Sequence, residues 1–279
     1  MGRSGRRAVG VDSAGRVGTV LLALVLVACA GKSSQHAKTR TAGGAGGGGE
    51  AGAGGAGSRP RDLPELTLEP TGEITLAGLT EPAEDIYVGE DGIFIVTLEQ
   101  YHRFDFEGVA LFDPGEGNRQ RAGAGADAFR TNWFATVQGA VVVWYDFELA
   151  FNQLDGAKSS VGLAVDMDEA GSFQRLYVAD AGLSSMREYT TQGALLRELA
   201  VPAVDLEGLA FSAAHRLFAL DARSRELVRA SEDFSKIDAF ARLPGVIGTP
   251  SGIHWFDARL YVCFRDRDHI ATFRLDEGS

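Results

Sequence analysis

Two short apolar runs decide the fold of this 279-residue chain: VGLAVD at residues 161–166 and LYVAD at residues 176–180. Both are rich in β-branched, aromatic and small residues and end in an acidic residue that favours a turn, which is typical of short strands. The same pair returns as DLEGLAF at residues 205–211 and LFALD at residues 217–221. A strand pair that recurs along a chain indicates an array of equivalent β units.

Five segments of the chain can be superposed as the opening strand of such a unit. They are residues 85–88, 132–135, 161–164, 207–210 and 251–254. A second apolar run follows each of them, at residues 93–96, 140–143, 176–179, 217–220 and 260–263. No stretch from Leu66 onward has the 3.6-residue period of a helix, so we predict an all-β domain.

The unit starts recur at intervals close to the roughly 40 to 50 residues of a four-stranded propeller blade. The second unit is shorter and is predicted to have a stunted outer strand. The last unit ends after its third strand, and we expect Glu73–Ala77 to supply the fourth, which would remove an exposed sheet edge. The sequence thus predicts a five-bladed β-propeller of four-stranded antiparallel blades, or six blades if the region from Pro114 to Arg130 contains a further unit.

The third and fourth units, at residues 161–180 and 205–221, resemble the repeats of the NHL and SMP-30-like group of β-propellers. The resemblance covers two of the five units, and its motifs are structural. It therefore implies the fold and indicates little about the activity.

The N-terminal segment has the order of an export signal: four Arg residues, an apolar run at residues 17–28, and then Cys29. The run is shorter than the roughly 20 residues that a membrane-spanning helix needs. The sequence LVAC at residues 26–29 resembles the lipobox of bacterial lipoproteins, which implies cleavage before Cys29 and lipidation of that residue. We predict a lipoprotein signal peptide over residues 1–28, with an ordinary secretory signal or an uncleaved anchor as the alternatives.

Residues 29–61 are predicted to be the lipidated Cys29 followed by a flexible linker, and residues 62–279 to be the propeller domain. The linker contains GGAGGGG at residues 43–49 and few large apolar residues. Such a segment cannot bury enough surface to offset its chain entropy. Two or three acyl chains hold a protein stably at a membrane. We expect the protein in a bacterial cell envelope, lipid-anchored at the outer membrane or cell surface, or facing the periplasm.

The formal net charge is −11, and removal of the Arg-rich signal would leave the mature chain more acidic. This charge argues against nucleic acid as a partner and is compatible with divalent cations. Because Cys29 is assigned to the anchor, Cys263 is left alone and no disulfide is expected in the mature domain. Cys263 falls inside an apolar strand, where we expect a small buried hydrophobe.

In a propeller, the residues that open the innermost strands lie around one central channel. Here that column contains Asp85, Asn132, Val161, Glu207 and Ser251. Carboxylate and amide oxygens that converge on one axis suit a hard cation such as Ca²⁺. The SMP-30-like resemblance implies a divalent metal at this place, with Asp85, Asn132 and Glu207 as the matching ligands, although Val161 departs from that pattern. The alternative is that these polar residues simply begin strands and are solvated.

Other polar residues have plainer interpretations. Asp180 and Asp221, at the ends of second strands, are expected to cap turns. His254 and His269 are candidates for acid–base work only because histidines are scarce, and a structural role is the alternative. We expect the connection from Pro114 to Arg130 to lie over the same face as the channel opening.

The leading functional hypothesis is a lipid-anchored propeller that serves as a binding or scaffolding module for an envelope protein or a small ligand, because rigid blades present loops without needing a catalytic group. The alternative is a metal-dependent lactonase or esterase, in which the metal held by Asp85, Asn132 and Glu207 polarises a carbonyl and activates water.

Overall fold

The computed structural model describes residues 62–98, 100–116, 121–126, 132–136, 140–145, 148–167, 173–203, 205–245 and 248–276. These residues form twenty β-strands and no helix. In chain order the strands are β1 (Glu65–Thr75), β2 (Asp85–Gly89), β3 (Gly92–Val96), β4 (Gln100–Phe104), β5 (Ala110–Glu116), β6 (Arg121–Ala126), β7 (Asn132–Thr136), β8 (Ala140–Tyr145), β9 (Glu148–Gln153), β10 (Ser160–Met167), β11 (Phe173–Asp180), β12 (Ser185–Tyr189), β13 (Leu195–Ala200), β14 (Leu206–Phe211), β15 (Leu217–Asp221), β16 (Glu226–Ala230), β17 (Ile237–Arg242), β18 (Pro250–Phe256), β19 (Arg259–Phe264) and β20 (His269–Asp276). The predicted all-β class is confirmed.

The predicted signal peptide, the lipidated Cys29 and the Gly-rich linker lie outside the described residues. Within the described ranges, no helix is long and apolar enough to cross a membrane.

The strands form four sheets. Three of them are four-stranded antiparallel sheets that follow one another along the chain: β2 to β5, β6 to β9, and β10 to β13. The remaining strands form one eight-stranded sheet in the order β14-β15-β16-β17-β1-β20-β19-β18. Consecutive strands are neighbours within each of five strand groups, β2 to β5, β6 to β9, β10 to β13, β14 to β17 and β18 to β20, so each group is a meander. β1 comes from the other end of the chain and lies between β17 and β20.

The first strand of each group packs against the first strand of the next. Contacts join β2 to β6, β6 to β10, β10 to β14 and β14 to β18, and β18 in turn contacts β2. These five innermost strands therefore close a ring, and the outer strands of each group extend away from it. This is the arrangement that the sequence predicts for a β-propeller.

Burial decreases from the ring outward. Every residue of β15 is buried, whereas Leu199 is the one buried residue of β13. Strands near the ring have both faces covered by neighbouring sheets, so they are apolar on both faces. The core lies between adjacent strand groups, as where the ring of Phe218 on β15 packs 4.9 Å from that of Trp255 on β18.

The predicted closing strand is present and is longer than expected. β1 pairs antiparallel with β20 from Thr67 to Thr75, which places it outermost beside the last strands of the chain. Its first residues also pair in parallel with β17, and the backbone N–H of Phe240 donates to the carbonyl of Pro64 at 3.1 Å. β1 therefore joins the last two strand groups into one sheet.

The predicted boundaries of the second unit are wrong. Asn132 does not open an innermost strand, because it begins β7, the second strand of its group. The innermost strand is β6, which contacts β2 and β10. β6 reads RAGAGA and has no large apolar side chain, so hydrophobic patterning does not reveal it. The unit consequently has four full strands, and the expected connection from Pro114 to Arg130 contains β6.

Candidate functional site

Glycines bring the innermost strands together at the end of the ring where these strands begin, which we call the mouth. A Cβ at Gly208 would lie 2.7 Å from the backbone N of Ile253, and one at Gly252 would lie 2.6 Å from the Cα of Asp85. A Cβ at Gly162 would likewise collide with the neighbouring strand. Each of these glycines lies at a register shift between the first two strands of its group. Because these residues have no side chain, adjacent strands can approach one another closely at the mouth.

Three charged side chains from three strand groups meet there: Glu84 before β2, Glu207 on β14, and Arg265 after β19. Nε and Nη2 of Arg265 donate to Oε2 of Glu84 at 3.1 and 2.8 Å. Nη2 also lies 3.1 Å from Oε1 of Glu207. The side chains of Glu84 and Glu207 are 11% and 10% exposed, while that of Arg265 is 34% exposed. The guanidinium thus bridges two nearly buried carboxylates and still reaches solvent. We call these three residues the mouth cluster.

Burial dominates the electrostatics of the mouth cluster. It raises the pKa of the Glu207 carboxyl to about 7; Asp205 and Glu84 act in the same direction, and Arg265 opposes them. Burial alone would lower the pKa of Arg265, but its hydrogen bonds and ion pairs with the two glutamates hold that pKa above its usual value. Glu207 therefore exchanges its proton near neutral pH, while Arg265 stays charged.

Arg265 occupies a repeat position that holds alanine in two other units. Its backbone N–H donates to the carbonyl of Thr249 at 2.9 Å, and Ala181 and Ala222 make the equivalent bonds in their own units. The mouth cluster therefore depends on a single departure from the repeat. Neither Arg265 nor Glu84 was among the predicted site residues, and a position-by-position comparison of the units would have singled out Arg265.

A cluster of fully buried polar residues lies where β2 packs against β18. Oδ1 of Asp85 accepts a hydrogen bond from the backbone N–H of Ile86 at 2.8 Å. The hydroxyl of Ser251 donates to the carbonyl of Ala83 at 2.6 Å and lies 3.5 Å from Sγ of Cys263. Burial raises the pKa of the Cys263 thiol, and the charge of Asp85 adds to the effect. Cys263 is a buried free cysteine, as predicted.

The strands do not bring the three predicted metal ligands together. Asp85 and Glu207 lie on innermost strands near the mouth, but Asn132 pairs with Ala126, the last residue of β6, and so lies at the opposite end of the ring. An oxygen of Glu207 is already paired with Arg265. Across the part of the chain that the structure describes, no group of three or more His, Cys, Asp or Glu side chains could hold a metal ion. Binding of Ca²⁺ by Asp85, Asn132 and Glu207 stays a prediction.

The predicted capping of the following turn is confirmed for Asp221, whose Oδ1 accepts a hydrogen bond from the backbone N–H of Arg223 at 3.1 Å. Asp180 and Asp221 also bond to the segments that precede innermost strands. Oδ2 of Asp180 accepts a hydrogen bond from the backbone N–H of Lys158 at 2.8 Å. Oδ1 of Asp221 accepts one from the backbone N–H of Asp205 at 3.2 Å. Each carboxylate thereby ties the end of a second strand to the segment that leads into an innermost strand.

His254 lies within β18 and contacts Tyr87 on β2 edge-to-face, with ring centroids 4.8 Å apart. Its Nδ1 is buried and has no hydrogen-bond partner among the described residues. Burial lowers the pKa of His254 to about 4, so the ring is neutral near pH 7. The ring of His269, on β20, packs 5.0 Å from that of Phe264. In the described ranges, no hydrogen bond or ion pair joins either histidine to the mouth cluster.

No protein-family model matches the sequence, and no curated protein matches it significantly. Among solved structures, glutaminyl cyclase from Myxococcus xanthus, a β-propeller protein, superposes with a TM-score of 0.63 at 14% identity over 77% of this chain and 99% of that one. The domain is a β-propeller. At this level of identity the likeness shows the fold of the propeller and not its activity.

Two further propellers are more distant. Virginiamycin B lyase from Staphylococcus aureus has a TM-score of 0.48 at 14% identity, over 73% of this chain and 69% of that one. The WD40 β-propeller domain of Doa1 has a TM-score of 0.49 at 11% identity, over 69% of this chain and 63% of that one.

Proposed function

We propose that this propeller is a binding module of a bacterial cell envelope, held to a membrane by a lipid on Cys29, and that its ligand binds at the mouth. The observation that carries this proposal is the mouth cluster, in which Arg265 is 34% exposed between two nearly buried carboxylates. Charged groups that are already held in place lose little conformational freedom when a ligand binds. Such preorganisation favours recognition.

The surroundings of the mouth cluster support the same function. Close backbone contacts at Gly208 and Gly252 fix the strands that position Glu207 and Glu84. The pairing of β1 with both β17 and β20 holds together the two strand groups that contribute Glu207 and Arg265. The mouth is therefore a rigid platform whose charged groups come from separate strand groups.

We also propose that the propeller has five blades, with β1 completing the blade of β18, β19 and β20. The closed ring of contacts among β2, β6, β10, β14 and β18 supports this number. The resemblance of residues 161–180 and 205–221 to NHL and SMP-30-like repeats supports a place in that group of propellers.

Amide hydrogen exchange on the full-length chain tests where the ligand binds. The small-molecule and protein fractions of a bacterial envelope extract are added separately, which distinguishes a small ligand from an envelope protein. Binding at the mouth predicts slower exchange at residues 205–208 and 264–266, unchanged exchange in the hairpin at residues 212–216, and loss of the effect in Glu207→Gln. Protection confined to the hairpin end, or no protection with either fraction, would contradict the proposal.

The anchor has its own test. The full-length chain is expressed in bacteria that are fed radiolabelled palmitate. Because Cys29 is the proposed lipid attachment residue, label is expected in the wild type and not in Cys29→Ala. Label retained by Cys29→Ala would refute lipidation at this residue.

A lactonase or esterase is the second candidate, and one observation favours it: a carboxyl with a pKa of about 7, as at Glu207, suits proton transfer near neutral pH. The position of Asn132 at the opposite end of the ring gives no support to a metal shared by Asp85, Asn132 and Glu207. The candidate therefore depends on Glu207. Hydrolysis of esters or lactones by the wild type that is lost in Glu207→Gln would support it. No hydrolysis by the wild type would exclude the enzyme, and equal hydrolysis by both proteins would exclude a role for Glu207 in it.

A further inference from the structure

The strand that closes the ring is held unevenly along its length. Of the eleven residues of β1, only Leu68 is buried. The residues from Thr67 to Pro70 pair with β20, and the pairing register then shifts between Pro70 and Gly72. A bulge of this kind interrupts the ladder of backbone hydrogen bonds. The bulge therefore divides β1 into two halves.

Two cavities adjoin the bulge. One, of about 430 Å³, lies between the bulge and Pro244, which follows β17. The other, also of about 430 Å³, lies between the bulge and Phe106, in the turn after β4. A Cβ at Gly72 would have Oγ1 of Thr272 as its nearest neighbour among the described residues, at 3.6 Å. The chain can therefore bend at the bulge without displacing closely packed side chains.

Beyond the bulge, the chain is fastened to the ring. Ile74 packs against a buried apolar cluster that contains Leu76. The backbone N–H of Ala77 donates to the carbonyl of Gly108 at 2.8 Å, which ties the segment after β1 to the turn after β4. The second half of β1 can leave its place only if the first strand group is disturbed.

Before the bulge, residues 62–70 have fewer attachments, and we call them the strap. Leu68 is the one buried side chain of the strap, and Glu65 and Leu66 pair with β17. An ion pair at 3.5 Å joins Glu65 to Arg242, but both side chains are more than half exposed, and such pairs stabilise little. Segments with few buried contacts open at a lower free energy than the core does.

The strap lies between the two strand groups whose side chains meet at the mouth. Its backbone pairs with β17 on one side and with β20 on the other. Leu68 belongs to the core cluster that contains Ala241 of β17 and Phe264 of β19. Phe264 directly precedes Arg265. Release of the strap would therefore weaken the attachment between the strand groups that position Arg265 and Glu207.

We propose that the strap opens as a unit about the bulge while the ring stays folded, and that its opening loosens the mouth cluster. With the strap closed, the last two strand groups are clamped together and the mouth is preorganised. With the strap open, Arg265 is free to move relative to Glu207. The role of this device rests on the proposed binding function, but the opening itself can be tested without a ligand.

Amide hydrogen exchange of the full-length chain, in urea below the unfolding transition, tests the opening. The strap is expected to be protected at least about tenfold less than β11, and its exchange to depend little on urea, because the opening exposes little surface. Leu68→Ala should speed exchange in the strap at least about tenfold. Thr67→Val, which keeps the shape of an exposed side chain on the same strand, should leave it within about threefold. Val178→Ala, in the core far from the strap, should speed exchange in β11 and not in the strap.

A reversible cross-link tests the effect on the mouth. Glu69 and Arg274 are exposed and lie directly opposite each other on β1 and β20, which brings them within reach of a disulfide. Glu69→Cys and Arg274→Cys are combined in a Cys29→Ala background, and Cys263 does not interfere because it is buried. Oxidation should slow exchange in the strap at least about tenfold and should also slow it at residues 264–266. Reduction should restore both rates.

Two results would overturn the inference. If strap exchange has the urea dependence of β11, or if Val178→Ala speeds both equally, the strap unfolds only together with the ring. If oxidation slows exchange in the strap and leaves residues 264–266 unchanged, the strap does not control the mouth. Protection by envelope extract tests the binding function separately, so its failure is distinguishable from that of the strap.

Discussion

The substitution Gly252→Ala would place one methyl group between two innermost strands. Its Cβ would lie 2.6 Å from the Cα of Asp85 and 2.9 Å from the backbone N of Ile86, closer than Cβ atoms approach other atoms in real proteins. Both of these are backbone atoms of β2, so no change of rotamer relieves the collision. β18 and β2 would have to separate at the place where they position Glu84 and Arg265.

This geometry sets the expected loss in the free energy of unfolding. Overpacking of a well-packed site costs about 1–3 kcal/mol, and more where the backbone must move. Because two strands must shift and the hydrogen bond from Ile86 to Asp85 is disturbed, we expect a loss of about 3 kcal/mol. For a domain of roughly 150–250 residues, this lowers Tm by about 6–12 °C.

Gly72→Ala on β1 is the matched control. Its Cβ would have Thr272 Oγ1 as its nearest neighbour at 3.6 Å, which is an ordinary contact. We expect a change within about 0.5 kcal/mol. Thermal unfolding of the full-length chain, followed by circular dichroism at pH 7, compares both variants with the wild type. If Gly252→Ala melts within about 2 °C of the wild type, the close approach of β18 and β2 is wrong.

Three further predictions concern buried titratable groups. Burial raises the pKa of Glu207 from 4.5 to about 7, so the folded state binds more protons than the unfolded state in this interval. The free energy of unfolding of the wild type should therefore fall by up to about 3 kcal/mol from pH 4.5 to 7. Glu207→Gln should lack this fall. Burial lowers the pKa of His254 from 6.5 to about 4, so the folded state binds fewer protons than the unfolded state in this interval. This group should therefore make the wild type less stable as pH falls from 6.5 to 4, and His254→Leu should lack that loss. Urea unfolding between pH 4 and 8 measures both, and profiles parallel to the wild type would refute them. The buried Cys263 thiol, whose pKa is raised, should react with a disulfide reagent only as fast as the protein unfolds; immediate reaction would show that it is accessible.

Much of the fold could be predicted from the sequence because most strands near the ring are covered on both faces. Segments such as residues 176–180 and 217–221 are consequently apolar runs that recur and can be superposed. The role of an N-terminal strand in closing the ring could be predicted from the number of strands, because the last unit of the sequence contains only three. β6 escaped detection because alanine and glycine give no hydrophobic signal, and its omission shifted Asn132 into the wrong strand.

The mouth cluster could be predicted only in part. Glu207 was found because it stands near the start of a repeated strand. Its partners Glu84 and Arg265 lie 123 and 58 positions away in sequence, as counted from the residue numbers, and they meet it only because the ring closes. No local pattern encodes an ion pair between separate strand groups.

The meeting of Glu207 and Arg265 is the claim on which the proposed binding site depends. A double-mutant cycle tests it most directly: the free energies of unfolding of the wild type, Glu207→Gln, Arg265→Met and the double variant are measured at pH 8, where Glu207 is mostly ionised. Because the two groups lie 3.1 Å apart and Arg265 is 34% exposed, the account predicts a coupling of about 1 kcal/mol. It also predicts no coupling between Arg265→Met and Glu107→Gln, which removes one charge from an exposed turn. Effects of Glu207→Gln and Arg265→Met that add within about 0.3 kcal/mol would contradict it.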